Sequence, residues 1–395
     1  MNDFSILEST NIQFGRGKEL EAGKLVKFYG GSKVLILYNE NSSLVSESLL
    51  DKVRRSLDLS GVEFVELGNA KKNQRMNVIE EGVAACIKGG VDFILAVGDG
   101  YCFSAAKSIS ACVFHPTIIR EVFAEDFYFE EVLPVGCIVT VPDGGLVNSG
   151  YMSMVIPKTD GTLEVLSKNC NMVKPKFTIL NPEVVNTSHK VLISSIINIS
   201  SMVLERYLSP SPAEVLTDRF YESIIATLVN MWQRLQEIPN DYESYANIMW
   251  AGIMANAIPS ISDNKENKAL ERIRLGFTSL YDCTRAEALS LILPAYLEMS
   301  SSNAPLRLAQ IGNRALGLQF AFQHPENTAT QTLIKLRRFI KKSGMPHTFE
   351  DLGGSCTDIQ KLLDIIDMSC GGDLCKGVKF DRNGVEILLS LILLH

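Results

Sequence analysis

Six short apolar runs, separated by amphipathic segments, fill the first half of the chain and leave few folds open. They are NIQFG (11–15), KVLILY (33–38), VEFVEL (62–67), DFILAV (92–97), VGCIVTVP (135–142) and KFTIL (176–180). A strand with one wet face alternates apolar and polar residues. A strand covered on both faces is apolar throughout, which is the signature of a parallel sheet sandwiched between helices. The segments between the runs, such as SLVSESLLDKVRRSLDLSG and RMNVIEEGVAACIKGG, have the 3.6-residue period of the covering helices. Residues from Tyr151 onward suggest a strand hairpin before the last run. From about residue 187 the strand signals stop, and segments such as HKVLISSIINISSMVLERYL and AEALSLILPAYLEMS are helical. The expected organisation is an α/β domain over 1–185 and an all-helical domain over 186–395. A ligand cleft is expected between them, at the carboxyl ends of the strands.

Charge and composition exclude several function classes. The net charge of −7, with no Lys/Arg cluster that overturns it, argues against nucleic acid as a partner. The N-terminus carries Asp3 and Glu8 and does not read as a signal peptide. The most apolar stretch, VEILLSLILLH, is about half the length a membrane span needs and reads as a terminal helix on the core. No membrane association is expected. Nine cysteines, an odd number without a C-x-x-C pair, fit free thiols in a reducing compartment, so the expected location is cytoplasmic.

The segment AVGDGYCFSAAK (96–107) directly follows an apolar run, at the place where α/β proteins receive phosphate on a helix N-terminus. With NQRMNVIEEGVAACIKGGVDFILAVGDG, LPVGCIVTVP, KPKFTILNPE, YANIMWAGIMANA and MPHTFEDLG, it makes nearly the whole chain resemble the iron-containing (group III) alcohol dehydrogenases, in particular their butanol dehydrogenase branch. The resemblance implies the dehydroquinate synthase-like fold of that family. It also implies an NAD(P) cofactor, a divalent metal, and dimers formed through an N-terminal strand, here SILESTNIQFG.

Residue by residue, the resemblance breaks where the chemistry resides. The family loop G-G-G-S-x-x-D-x-A-K is similar to Gly98, Asp99, Gly100, Tyr101, Cys102, Phe103, Ser104, Ala105, Ala106 and Lys107. An acid replaces the middle glycine, whose role is to let the backbone approach the pyrophosphate. In the second phosphate segment Thr140 and Gly145 remain, while Cys137, Gly144 and Leu146 replace hydroxyl-bearing residues and Asp143 adds another acid. At the adenosine end the chain has Asn39, Glu40, Asn41 and Ser42. Glu40 would repel a 2′-phosphate, so NAD is favoured over NADP if a dinucleotide binds.

The metal ligands implied by the family fall at Asn198, Met202, about Leu275, and Arg285. Independently of any alignment, the five histidines (115, 189, 324, 347 and 395) leave the stretch between His189 and His324 empty of imidazole. A metal there would have to rely on acids such as Glu205, Asp282 or Glu287, at spacings that match no known metal site. No metal is expected. Arg285 has two readings: a fixed cation that contacts an anionic ligand, or a partner of Asp282 or Glu287 at a helix start. Cys102 is weighed as an activated thiol against an inert one, and Ser104 has no histidine partner. His189 reads as a surface residue and His115 as a loop residue.

The leading expectation is a catalytically silent or repurposed binding paralogue. It would take a small anionic ligand, or associate as a homodimer or with a homologue. The rivals are an active NAD(P)-dependent alcohol or aldehyde oxidoreductase with a rebuilt, metal-independent site, and a structural subunit of a hetero-oligomer.

Overall fold

The computed structural model describes residues 9–39, 44–68, 76–143, 147–159, 163–186, 188–208, 215–257, 269–369 and 371–394. Glu40, Asn41, Ser42, Gly144, Gly145 and Leu146 lie outside these ranges, as do residues 1–8, which include the start of the segment considered for strand pairing. The chain divides into two compact units, one of residues 7–192 with 239–257, the other of 193–238 and 258–395 with 1–6.

Every apolar run of the first half becomes a strand. These are β1 (Asn11–Phe14), β2 (Lys33–Tyr38), β3 (Glu63–Leu67), β4 (Phe93–Gly98), β5 (Val135–Val139) and, after a hairpin, β8 (Phe177–Leu180). All six pair in parallel, in the order β1-β8-β5-β4-β2-β3. The central strands β4, β5 and β8 are buried at every position, which is why their sequences carry no polar alternation. Edge strand β3 is instead charged: Glu66 pairs with Arg54 at 2.8 Å and Glu63 with Lys33 at 3.2 Å, protection against edge-to-edge association. Gly136 in mid-β5 has a packing cause, because a Cβ there would lie 2.4 Å from the Phe177 ring. That ring stacks between Tyr29 and Phe93, with centroids 6.1 and 5.9 Å away.

The covering helices are α1 (Ala22–Phe28), α2 (Glu47–Leu59), α3 (Met76–Gly89) and α4 (Gly100–Cys112). The hairpin is β6 (Tyr151–Pro157) with β7 (Leu163–Asn169), antiparallel and in full register. Helix α7 (Tyr242–Ala257) belongs to the α/β unit, whereas the sequence reading placed all of 186–395 in one helical domain. Helical periodicity shows that a segment is a helix but not which core it joins. The contacts that decide are Trp250 edge-on to Phe14 at 6.1 Å, Asn256 donating to Asn148 at 2.8 Å, and Arg16 lying over the Tyr242 ring at 3.9 Å.

The second unit is built from α5 (His189–Leu208, entering it at residue 193), α6 (Val215–Glu237), α8 (Ala269–Tyr281) and α9 (Arg285–Asn303). It continues with α10 (Pro305–Arg314), α11 (Pro325–Ser343), α12 (Asp358–Ile365) and α13 (Arg382–Leu393). Ile193, Ile197, Ala286, Leu289 and Met345 form a core cluster flanked by Trp232 and Phe339. The C-terminal apolar stretch is the terminal helix α13, which buries Val385, Leu388, Leu389 and Ile392, an i, i+3, i+4, i+7 stripe. Helix α5 is long and apolar enough to cross a bilayer, yet 61% of its most apolar window is buried within the protein, as in a core helix.

The last turn of α5 has carbonyls without helical partners. Arg307 supplies one: its Nε donates to the Tyr207 carbonyl at 2.7 Å, its guanidinium grips Asp218 at 2.9 and 2.8 Å, and it covers the Tyr207 ring at 4.2 Å. Arg307→Ala strips these contacts at once and leaves Asp218, only 9% exposed, without them. The expected loss is about 2–4 kcal/mol, read as a lower denaturant midpoint for the helical unit.

Candidate functional site

Strand order reverses at β2: β3 lies on one side of it and β4 on the other. The carboxyl ends of β2 and β4 therefore form the switch-point crevice where open α/β sheets bind ligands. In this chain the crevice is bridged by its own side chains. Asn39, the residue after β2, accepts from the Asp99 backbone N–H at 3.3 Å and donates through Nδ2 to Asp99 Oδ1 at 3.4 Å. Asp99 is the N-cap of α4, and its Oδ1 accepts from the N–H groups of Tyr101 and Cys102, both at 3.1 Å. These are the amides that an incoming phosphate would use. The acid at the second glycine position thus turns onto the helix N-terminus and takes the phosphate's place.

Gly98 is indispensable to this arrangement. Its φ of +155° disfavours any side chain, and a Cβ would meet Asn39 Oδ1 at 2.0 Å. Its carbonyl accepts from the Thr140 N–H at 3.0 Å, so the first and second phosphate segments touch at their bases. Thr140 is fully buried and its hydroxyl makes no hydrogen bond. Burial pushes the Asp99 carboxyl above the usual carboxylate range and nearby Asp143 adds to this, while Cys102 N–H, Asn39 and Tyr101 N–H oppose it.

The other candidates of this loop are structural. Cys102 is buried, its thiol donates to the Leu37 carbonyl at 3.3 Å, and burial together with the Asp99 charge holds its pKa well above the ordinary value. It is a packed thiol, not an activated one. Ser104 ties α4 to the hairpin, meeting the Ser153 hydroxyl at 3.1 Å and accepting from the Ser153 N–H at 3.0 Å. Lys107 is wholly buried, which lowers its pKa to about 8 despite the opposing influence of Cys137. The His115 ring sits edge-on to Phe127, and His189 begins α5.

In the helical unit, Asn198 and Met202 are one turn apart on α5, Leu275 is on α8, and Arg285 opens α9. Thr284 and Glu287 form a reciprocal capping box that fixes this helix start, with Thr284 N–H donating to Glu287 at 2.8 Å. Of the two partners expected for Arg285, Glu287 is thus engaged in the cap. Arg285 pairs with Glu271, one turn before Leu275 on α8, at 3.3 Å. Glu271 also receives both arms of the largely buried Arg274 guanidinium, with Nε at 2.9 Å. The sequence reading missed Glu271 because it fell one helical turn away; its i,i+3 spacing to Arg274 was the available clue.

Beside this network lies Glu205. Burial and the Glu271 charge push its carboxyl up to about 8, against the pull of Arg206, Arg285 and the Leu270 N–H. Its protonated form is therefore favoured at neutral pH. The four positions that would ligate a metal offer an amide, a thioether, an aliphatic chain and a guanidinium already paired with a carboxylate. That donor set does not fit a first-row divalent ion. No group of three or more His, Cys, Asp or Glu is arranged to hold one among the described residues.

The raised pKa of Glu205 has a direct consequence for stability. The folded protein keeps a proton that the unfolded chain, titrating near 4.5, releases, so this contribution is complete below pH 4.5 and is lost as pH rises toward about 8. Glu205→Gln should match the unaltered protein in thermal midpoint near pH 4.5 and exceed it progressively up to pH 8.

Residues 9–182 match the profile of iron-containing alcohol dehydrogenase, and 192–372 that of the Fe-containing alcohol dehydrogenase family, C-terminal. NADH-dependent butanol dehydrogenase B of Clostridium acetobutylicum is 28% identical over 89% of this chain and 90% of its own length. The NADPH-dependent aldehyde reductase of Escherichia coli is 25% identical over 92% of each. The crystal structure of NADH-dependent butanol dehydrogenase A from Thermotoga maritima superposes with a TM-score of 0.90 at 26% identity, over 100% of this chain and 99% of that one.

Proposed function

Since the chain belongs to the iron-containing alcohol dehydrogenase family, we propose that it is a member that has lost metal-dependent hydride transfer and acts by binding. The observation that carries this reading is the ion pair of Arg285 with Glu271 at the position of a family metal ligand. Oxidising an alcohol requires its hydroxyl to lose a proton as hydride leaves, and a metal supplies that acidity. A guanidinium cannot accept that proton. Asp99 on the α4 amides supports the same reading from the cofactor side.

The binding role has two forms: recognition of a small anionic ligand by the arginines of the helical unit, or association as a homodimer or with a homologue. In the second form β1, at the edge of the sheet, is the candidate pairing element. A cytoplasmic location is proposed with this reading, supported by the odd number of cysteines without a C-x-x-C pair, and neither nucleic acid nor membrane is proposed as a partner. Any residual dinucleotide affinity is proposed to favour NAD over NADP, because Glu40 opposes a 2′-phosphate. The second reading, an active NAD(P)-dependent alcohol or aldehyde oxidoreductase with a metal-independent site, draws support from similarity to named dehydrogenases over about nine-tenths of the chain. Fold likeness alone does not carry an activity.

Butanal reduction with NADH and with NADPH, in the presence of added Fe(II) or Zn(II), separates the two readings. The proposal expects no turnover above a heat-killed control and no retained metal after gel filtration. Turnover above that control overturns it in favour of the oxidoreductase.

A further inference from the structure

Two exposed surfaces of this chain carry unbalanced charge of opposite sign. The first is the outward face of α11, which Ile334, Arg338 and Lys341 share at spacings of i, i+4 and i+7. Lys335 and Lys342 border it, and all five residues are exposed. None of the four cations forms an ion pair among the described residues. Lys335 donates to the Leu316 carbonyl at 2.7 Å, and the half-buried Arg337 between them reaches Glu298. The helix dipole favours cations in the last turn, which covers Lys341 and Lys342 but not Lys335 and Arg338. Ile334, 50% exposed, is an apolar centre among these charges.

The second surface is the segment 121–131, between α4 and β5. Glu121, Glu125, Asp126, Glu130 and Glu131 are exposed there, and none forms an ion pair among the described residues. Tyr128 stands among them at 81% exposure, two residues from Asp126 and two from Glu130. The segment is nonetheless firmly held. Val122, Phe123 and Phe129 are buried, and Lys168 of β7 donates to the Phe127 carbonyl at 2.7 Å and lies over the Phe129 ring at 5.2 Å. Neighbouring Arg120 is engaged with Glu164 at 2.7 Å. A surface fixed in this way loses little entropy on docking.

We propose that the α11 face docks onto the 121–131 segment of a second copy of this chain. Four cations then meet five acids, and Ile334 and Tyr128 supply the apolar centre that a charged rim surrounds. The two surfaces differ, so the contact is head-to-tail and each copy keeps one of each surface for a further neighbour. It uses no residue of β1 and is separate from pairing through that strand. Nucleic acid or an anionic membrane would meet only α11, against the net charge of −7, and would leave the acidic segment without a role.

Sedimentation velocity of the full chain at low salt reads the contact. The weight-average mass rises with protein concentration, and the rise is lost at about 0.5 M salt. Arg338→Glu with Lys341→Glu, and separately Glu125→Lys with Asp126→Lys, each weaken the association at least about tenfold. All four positions are on the surface, where substitutions cost little stability. An equimolar mixture of the two double variants associates again, because an intact α11 in one meets an intact acidic segment in the other. A mass independent of concentration overturns the proposal, as does association that survives either double variant, or a mixture that fails to associate.

Discussion

The free N–H groups at the start of a helix must be satisfied, and the whole character of this protein's α/β unit follows from what satisfies them at α4. In a phosphate-binding loop they are kept for the ligand, and glycine clears the approach. Here Asp99 supplies a carboxylate from within the chain, and Asn39 holds it from the end of the neighbouring strand. An intramolecular acceptor is always present, whereas a dissolved anion must displace it and bring its own charge toward Asp99 and Asp143. The cap is worth about 1 kcal/mol to the helix. It stabilises the fold with the same groups that would otherwise bind a cofactor.

The helical unit makes a parallel exchange. Where relatives are expected to gather ligands around a cation, this chain places the cation of Arg285 itself and balances it with Glu271. Arg274 is gathered onto the same carboxylate, and Glu205 avoids adding a second charge by keeping its proton. A buried arginine cannot shed its charge, so its partner is obligatory. The result is a set of charges balanced against one another within the helical unit.

Much of the fold was legible because continuous apolar runs have one good explanation. All six became parallel strands, and the apolar C-terminus became the amphipathic helix α13. The allocation of α7 was not legible, since the period of a helix says nothing about its neighbours; the Trp250–Phe14 and Asn256–Asn148 contacts decide it. At the candidate site, the sequence identified Asp99 as an obstacle but not the direction of its side chain, which depends on Asn39, 60 residues away. Arg285 was recognisable, whereas its partner Glu271 was hidden by a shift of one helical turn. Long-range partners of charged residues are set by tertiary packing, and no local pattern records them.

The central claim is that the phosphate seat is filled by the chain's own carboxylate, and calorimetric titration with NADH tests it most directly. The account predicts no saturable binding to the unaltered protein below about 1 mM, and tighter binding to Asp99→Gly, in which the amides of α4 are released at little cost to the helix. Micromolar binding to the unaltered protein, left unchanged by Asp99→Gly, would contradict it.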